Sequence, residues 1–181
     1  MHKFILVIIL SFLSIKKEDS KKIIARQGNV SFFSYTPVEN IKAKNNQVLS
    51  IVDFQTNKIA VSILMNAFVF EKALMREHFN ESYIESDIYP KATFEGDIID
   101  FDPNIEGVQT RIVKGVFAMH GATKELEIKI KIEKKNNTFV ISGSFEATVE
   151  DYNIKIPPLL RGNIAKKINV DFKFEYEAYE N

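Results

Sequence analysis

Neither cysteine nor tryptophan occurs among the 181 residues of this chain. Without thiols there is no disulfide to staple the fold, no thiolate nucleophile, no Cys-ligated metal and no cysteine to carry a lipid anchor. Excess charge is missing too: 24 basic residues meet 24 acidic ones, so no general attraction to nucleic acid or to an anionic surface is expected. There is no Gly-rich phosphate loop and no nucleophile-elbow spacing, which removes the sequence grounds for nucleotide-dependent or serine-hydrolase chemistry. Two acidic groups, Glu81, Glu85 and Asp87, then Asp97, Asp100 and Asp102, lack the spacing of an EF-hand loop and read as solvated surface.

What is present is apolar and aromatic: 45% of residues are hydrophobic and 15 are Phe. One domain with a sizeable core accounts for this length, and no break in composition calls for a second. His2 and Lys3 precede an apolar run from Phe4 to Leu10 that continues to Ile15, where Lys16 and Lys17 end it. A membrane span needs about 20 apolar residues, so the run has signal-peptide length. Residues 1–20 are therefore expected to be a signal peptide with no legible cut site, and residues 21–181 a single β-barrel domain. Export implies a periplasmic or secreted protein with no transmembrane anchor after processing.

Beyond residue 21 the dominant period is two, the spacing that sends alternate side chains to opposite faces of a strand. Ile168, Val170, Phe172, Phe174 and Tyr176 alternate with Asn169, Asp171, Lys173, Glu175 and Glu177. Leu126, Ile128, Ile130 and Ile132 repeat this against Glu127, Lys129 and Lys131, and Phe139, Ile141, Gly143, Phe145, Ala147 and Val149 form a third row. Asn136 and Asn137 supply the turn between the last two rows. Further strands are expected over residues 30–35, 48–54, 58–65, 92–101 and 108–119, with turns at Asn45–Asn46, Thr56–Asn57 and Asp102–Asn104. Seven or eight strands, each with one wet face, suit an all-β, lipocalin-like antiparallel barrel whose closure removes exposed edges.

Residues 70–83 depart from this period. Phe70, Leu74, Met75, Phe79 and Tyr83 fall at helical spacing, which predicts one short amphipathic helix sealing an end or side of the barrel. Pro157 and Pro158 forbid a central strand and predict a rim loop over residues 150–162.

Two short stretches bear on kinship. Arg76-Glu77-His78-Phe79 is followed by Tyr89-Pro90-Lys91-Ala92-Thr93-Phe94, and His120-Gly121-Ala122-Thr123-Lys124 comes later between two strands. In this order, behind a leader, they resemble the Arg-x-x-His helix, Tyr-Pro-x-Ala-x-Phe strand and His-Gly-x-Thr-Lys turn of the YceI-like lipid/polyisoprenoid-binding family. The resemblance extends from about Gly28 to Tyr179 and implies a barrel that holds a polyisoprenoid or a related amphiphile, without catalytic residues. The matching motif positions are Arg76, His78, Tyr89, Pro90, Phe94, His120, Gly121 and Thr123. This chain departs from the family pattern three times. One residue rather than two separates Arg76 from His78, Glu150-Asp151-Tyr152-Asn153 stands where the family has Arg-x-x-Phe-Gly, and a Pro157-Pro158 loop follows.

The first functional reading is therefore a carrier whose apolar lining includes Phe32, Ile128, Ile130, Ile141, Phe145, Phe172 and Phe174. Its ligand would be a polyisoprenoid, a quinone-like molecule or another long-chain lipid; no cofactor, metal or nucleic-acid partner is expected. The second is a filled scaffold that binds a protein through the rim loop, with Ile154, Ile156, Leu159 and Leu160 as contacts. A homodimer is admitted by either. Alternation reads the same for a hollow and a filled barrel, so it does not choose between them. His78 and His120, the two histidines outside the leader, fit an acid/base or metal role less well than a structural one, His78 on its helix and His120 satisfying its turn.

Overall fold

The structure, a computed structural model, describes residues 22–36, 40–136, 138–157 and 164–179. The leader, Asn137, Pro158, Leu159 and Leu160 lie outside the described residues. Among the described residues nine strands form one sheet: β1 (Lys22–Ser34), β2 (Ile41–Asp53), β3 (Lys58–Leu64), β4 (Val69–Phe70), β5 (Lys91–Ile98), β6 (Gly107–Met119), β7 (Ala122–Lys135), β8 (Thr138–Thr148) and β9 (Lys167–Ala178). All the pairings are antiparallel, and β1 bonds both β9 and β2, so the eight long strands close into a barrel. The two-residue β4 returns to the side of β2 at Ala43 and Lys44, after β3 has ended, and prolongs the wall there.

The expected barrel is present, and its first half differs from expectation in one instructive way. Asn45 and Asn46 do not make a turn; they lie inside β2, where the β1–β2 register shifts between Gly28 and Val30. Asn45 is fully buried, donating from Nδ2 to the Leu64 carbonyl at 2.7 Å while its Oδ1 accepts from the Gln47 N–H at 2.7 Å. A side chain that replaces backbone partners serves a bulge as well as a turn, so the residue type alone misleads. On the facing strand Gly28 leaves the space that Phe174 fills: a Cβ there would stand 2.5 Å from the ring.

The predicted helix is also shorter. Phe70 belongs to β4, α1 covers Ala73–His78, and a π-helical turn follows over Phe79–Tyr83. No side chain caps its N-terminus, and none of its residues is buried. What holds the segment is Phe79, whose ring packs against Phe32, Phe68 and Phe70 at 5.6, 5.5 and 5.0 Å. Leu74, expected in the sealing stripe, is 61% exposed instead.

Side-chain size along the inward rows divides the barrel into two ends. At one end Phe54, Phe101 and Phe139 meet with centroids 4.9–6.5 Å apart, and the Tyr176 and Ser50 hydroxyls share a hydrogen bond of 2.7 Å. Ile132, Ile141, Val52 and Ile98 are buried, each adding roughly 1.5–3 kcal/mol of burial. At the other end the same rows loosen: on β9, Phe174 and Tyr176 are buried, but Ile168, Val170 and Phe172 are only half-buried.

Two buried phenols, Tyr176 at the packed end and Tyr152 in the turn at the other end, make the fold alkali-sensitive. Burial holds the Tyr176 phenol above its ordinary value of 10.0, with the Ser50 hydrogen bond opposing weakly, and burial together with the charge of Asp151 pushes Tyr152 up to about 12. A phenol whose folded value is raised keeps its full contribution below the unfolded value and loses it as pH rises towards the folded one. Urea midpoints should therefore be insensitive to these phenols up to pH ~10 and fall between there and about pH 12. The phenolate absorbance of Tyr152 and Tyr176 should appear together with unfolding, after the exposed tyrosines such as Tyr35 have ionised, and ionisation of every tyrosine in the intact fold would refute the assignment.

Candidate functional site

The loose end encloses a cavity of about 130 Å³ whose wall exposes no polar surface. Its floor is formed by Phe172 and Phe174, stacked at 5.3 Å with 23° between the rings. Phe172 lies over Gly143, where a Cβ would come within 2.7 Å of the ring. The side walls come from the inward rows of the other strands, including Ile59 and Val61 of β3, Phe94 of β5 and Ile128 and Ile130 of β7. A dry apolar cavity of about 150 Å³ takes up benzene, so this space accepts a short piece of hydrocarbon as it stands.

Above it opens a second space of about 410 Å³, roughly three times larger, which shares Phe32, Phe79, Ile84, Val149, Ile154 and Ile168 with the first. The shared walls make it the mouth of the cavity. It is built from α1, the π-helical turn and the chain after β8, together with β4 and the adjoining ends of β1, β2 and β9. Among the described residues its polar side chains are Ser34, Thr36, Lys72, His78 and Tyr83.

Of the residues singled out from sequence, Phe32, Ile128, Ile130, Phe145, Phe172 and Phe174 stand in the cavity wall. Ile141 does not: it is 1% exposed and pairs with Phe174 across β8 and β9, outside the wall. Period two assigns a residue to the inner face but not to a depth along the barrel. Phe94 is in the wall, whereas Arg76, Pro90, Gly121 and Thr123 are exposed. Ile154 and Ile156, read as outward contacts of a rim loop, line the mouth. The sequence reading missed Phe68, Ile84 and Tyr152 as wall residues, whereas Phe79 was placed in the sealing stripe; Ile59, Val61 and Ile63 carried a usable alternation.

His120 is buried and does other work. It and Gly121 both have positive φ, 50° and 73°, and form the two-residue connection between β6 and β7. Its ring bonds to distant segments rather than to its own turn: Nδ1 lies 2.9 Å from the Tyr152 carbonyl and Nε2 2.8 Å from a Glu85 carboxylate oxygen. A carbonyl only accepts, so Nδ1 carries a hydrogen. Tyr89 packs on the same ring at 4.5 Å. One imidazole thus joins the chain after the π-helical turn to the 3-10 turn Val149–Tyr152, and both of these wall the mouth. In the altered segment at residues 150–153, Tyr152 is buried and Asn153 takes the left-handed conformation, φ 57°, that a glycine would favour.

Replacing His120 by Ala should cost about 1–3 kcal/mol of stability, because it leaves the Tyr152 carbonyl without its partner. Glu85→Gln should cost less, since Glu85 is exposed and its amide can still meet the ring. Urea denaturation of the two variants checks the order, and equal stability of His120→Ala and wild type would remove the clamp from the account.

Among the described residues no helix is long and apolar enough to cross a membrane, and no group of three or more His, Cys, Asp or Glu could hold a metal ion. Comparison with known structures finds the same barrel in distant proteins. A polyisoprenoid binding domain from Saccharophagus degradans, implicated in plant cell wall breakdown, superposes with a TM-score of 0.75 at 14% identity, covering 88% of this chain and 99% of that one. BcnA of Burkholderia cenocepacia gives 0.67 at 12% identity over 83% and 96% of the two chains. The YCEI protein of Campylobacter jejuni gives 0.65 at 14% over 81% and 90%. Comparison with curated protein sequences finds no match. The pattern of the YceI-like domain matches residues 22–176, the whole barrel from β1 into β9, and the chain belongs to that family.

Proposed function

We propose that this protein is an exported carrier that takes the hydrocarbon tail of a long-chain amphiphile, of polyisoprenoid or quinone type, into the open end of its barrel. The observation that carries this reading is the cavity with no polar surface, continuous with a mouth through which a tail can enter. Membership of the YceI-like family and the likeness to a polyisoprenoid binding domain support it. The leader over residues 1–20 supports a periplasmic or secreted location. The work of binding is hydrophobic and needs no reacting group, so no catalytic role is assigned to any residue.

Volume sets the scale of what enters. The cavity holds only a few carbons beyond the mouth, so a long tail either stays partly in the mouth or displaces the stacked Phe172 and Phe174 rings. The placement of Ile154 and Ile156 in the mouth favours a small-molecule ligand over the protein-partner reading, since a side chain that lines an inner wall is not displayed to a partner.

A series of primary alcohols tests this. Each methylene taken into the cavity is worth about 0.8 kcal/mol, so affinity should rise about fourfold per carbon. The rise should stop when the tail meets the Phe172–Phe174 floor, and Phe172→Ala should move the stop to longer chains. Titration calorimetry reads both effects. Filling the space with Ala147→Leu, from a wall position, should weaken all members of the series by about tenfold or more. An organic extract of the purified protein should contain lipid by mass spectrometry. If no lipid is extracted, and no alcohol binds or raises Tm, the carrier reading is wrong.

A further inference from the structure

Both ring nitrogens of His120 meet groups that accept. The Tyr152 carbonyl accepts from Nδ1 at 2.9 Å, and a Glu85 carboxylate oxygen lies 2.8 Å from Nε2. An ionised carboxylate has nothing to donate, so both bonds are made together only when the imidazole carries two hydrogens and a positive charge. With one hydrogen fewer the ring gives up one partner. The Tyr152 carbonyl belongs to a buried residue and would be left without a donor, whereas Glu85 is exposed and water can replace the ring there. The remaining hydrogen therefore stays on Nδ1, and Nε2 turns a lone pair towards the carboxylate. The Glu85 bond is the one that breaks.

The two partners sit beside the wall of the site. Ile84, next to Glu85, lines both the cavity and its mouth, as do Val149 and Ile154 on either side of Tyr152. The backbone around the ring is held in an uncommon form: Glu85, His120 and Asn153 have positive φ, 49°, 50° and 57°. Of the six non-glycine residues with positive φ among the described residues, Glu85 alone is neither Asn, Asp nor His, the types that adopt it most readily. Its conformation is kept by contacts and not by its own preference, so it relaxes when a contact is withdrawn.

We propose that His120 and Glu85 form a proton-controlled latch on the entrance. With two hydrogens on the ring the segment around Ile84 is held to the 3-10 turn, and with one it is released, so the latch is closed towards acid and loosens as pH rises. Its purpose rests on the carrier reading, since the wall it loosens is the one a tail would pass, but the latch itself can be read without a ligand. The chain after the π-helical turn brings Glu85 and Tyr89 to the ring, with Asp87 and Lys91 exposed beside them. The 3-10 turn carries the exposed Glu150 and Asp151, and β7 carries Lys124, which pairs with Asp151 at 3.0 Å. The Tyr152 phenol, pushed up to about 12 by burial and by Asp151, keeps its proton through the range in which histidine changes charge.

The test follows amide hydrogen exchange in the ligand-free protein from about pH 5 to about pH 8, with the ring nitrogens of His120 read by NMR over the same range. The Ile84 and Ser86 amides donate to the Phe79 and Asn80 carbonyls at 2.9 and 2.8 Å and report opening of the segment. Their protection, corrected for the intrinsic pH dependence of exchange, should fall about tenfold as Nε2 loses its hydrogen, as loss of a charge-assisted bond allows. Protection of Ile130 on β7 should stay level. In Glu85→Gln the side chain offers both a donor and an acceptor and meets the ring in either form, so the fall should shrink to less than about twofold. A bond that served structure alone would show no such contrast between carboxylate and amide. Stopped-flow displacement of dodecanol should quicken by a similar factor over this range in the wild type and not in Glu85→Gln. Protection that stays level while the ring titrates, or a ring that keeps one charge throughout, would overturn the latch. A fall that persists in Glu85→Gln would overturn the role of Glu85. Displacement at one rate while protection falls would overturn the gating of entry, and dodecanol that fails to bind at all would overturn the carrier reading, with the exchange data still deciding the latch.

Discussion

Closure of the sheet through β1, hydrogen-bonded to β9 on one side and to β2 on the other, is the constraint on which the rest of the structure depends. It fixes the circumference, and the circumference fixes the interior volume before any side chain is placed. Every inward row then has to meet that volume with the side chains it has. At one end Phe54, Phe101, Phe139 and Tyr176 are large enough to meet across the axis. At the other the rows carry Ala92, Ala147, Val113 and Val170, and the space is left unfilled. A hollow of this kind is a packing deficit that a stable domain tolerates when the packed end supplies most of the burial.

The mouth follows a different logic. Strands cannot close the end of a barrel, so the chain does it with short irregular pieces: a six-residue helix, a π-helical turn and a 3-10 turn. None of these is long enough to be stable alone, and each is tied down by tertiary contacts. Phe79 anchors the first two in an aromatic cluster, and His120 ties their far end to the third. Elements held by a few side chains open at lower free energy than the barrel, which suits an entrance.

The parts of the fold that were legible in the sequence are those where local pattern and tertiary environment agree. The rows on β7, β8 and β9 alternate cleanly because one face meets the interior and the other meets water, and the inner residues of those rows were readable one by one. The pattern fails where a residue type has two uses. Asn45 reads as a turn and is a bulge, because the same side-chain amide satisfies backbone groups in either setting. Phe70 reads as helix and is strand, because its place is decided by pairing with Ala43 and not by its neighbours in sequence. The candidate site was legible only in part for the same reason: Phe68, Ile84 and Tyr152 lie on segments whose position comes from contacts across the barrel.

The sequence by itself determined the class of the fold, the identity of the inner face on the long strands, and, through the order of two motifs, the family. These are consequences of period and spacing, which are properties of neighbours along the chain. Only the tertiary structure decided that the interior is filled at one end and hollow at the other, that Ile141 lies outside the cavity wall, and that His120 bonds to Tyr152 and Glu85. Each of those depends on how far along the axis a residue sits and on which strand faces it from the other side. Register and closure set these distances, and no local stretch of sequence contains them.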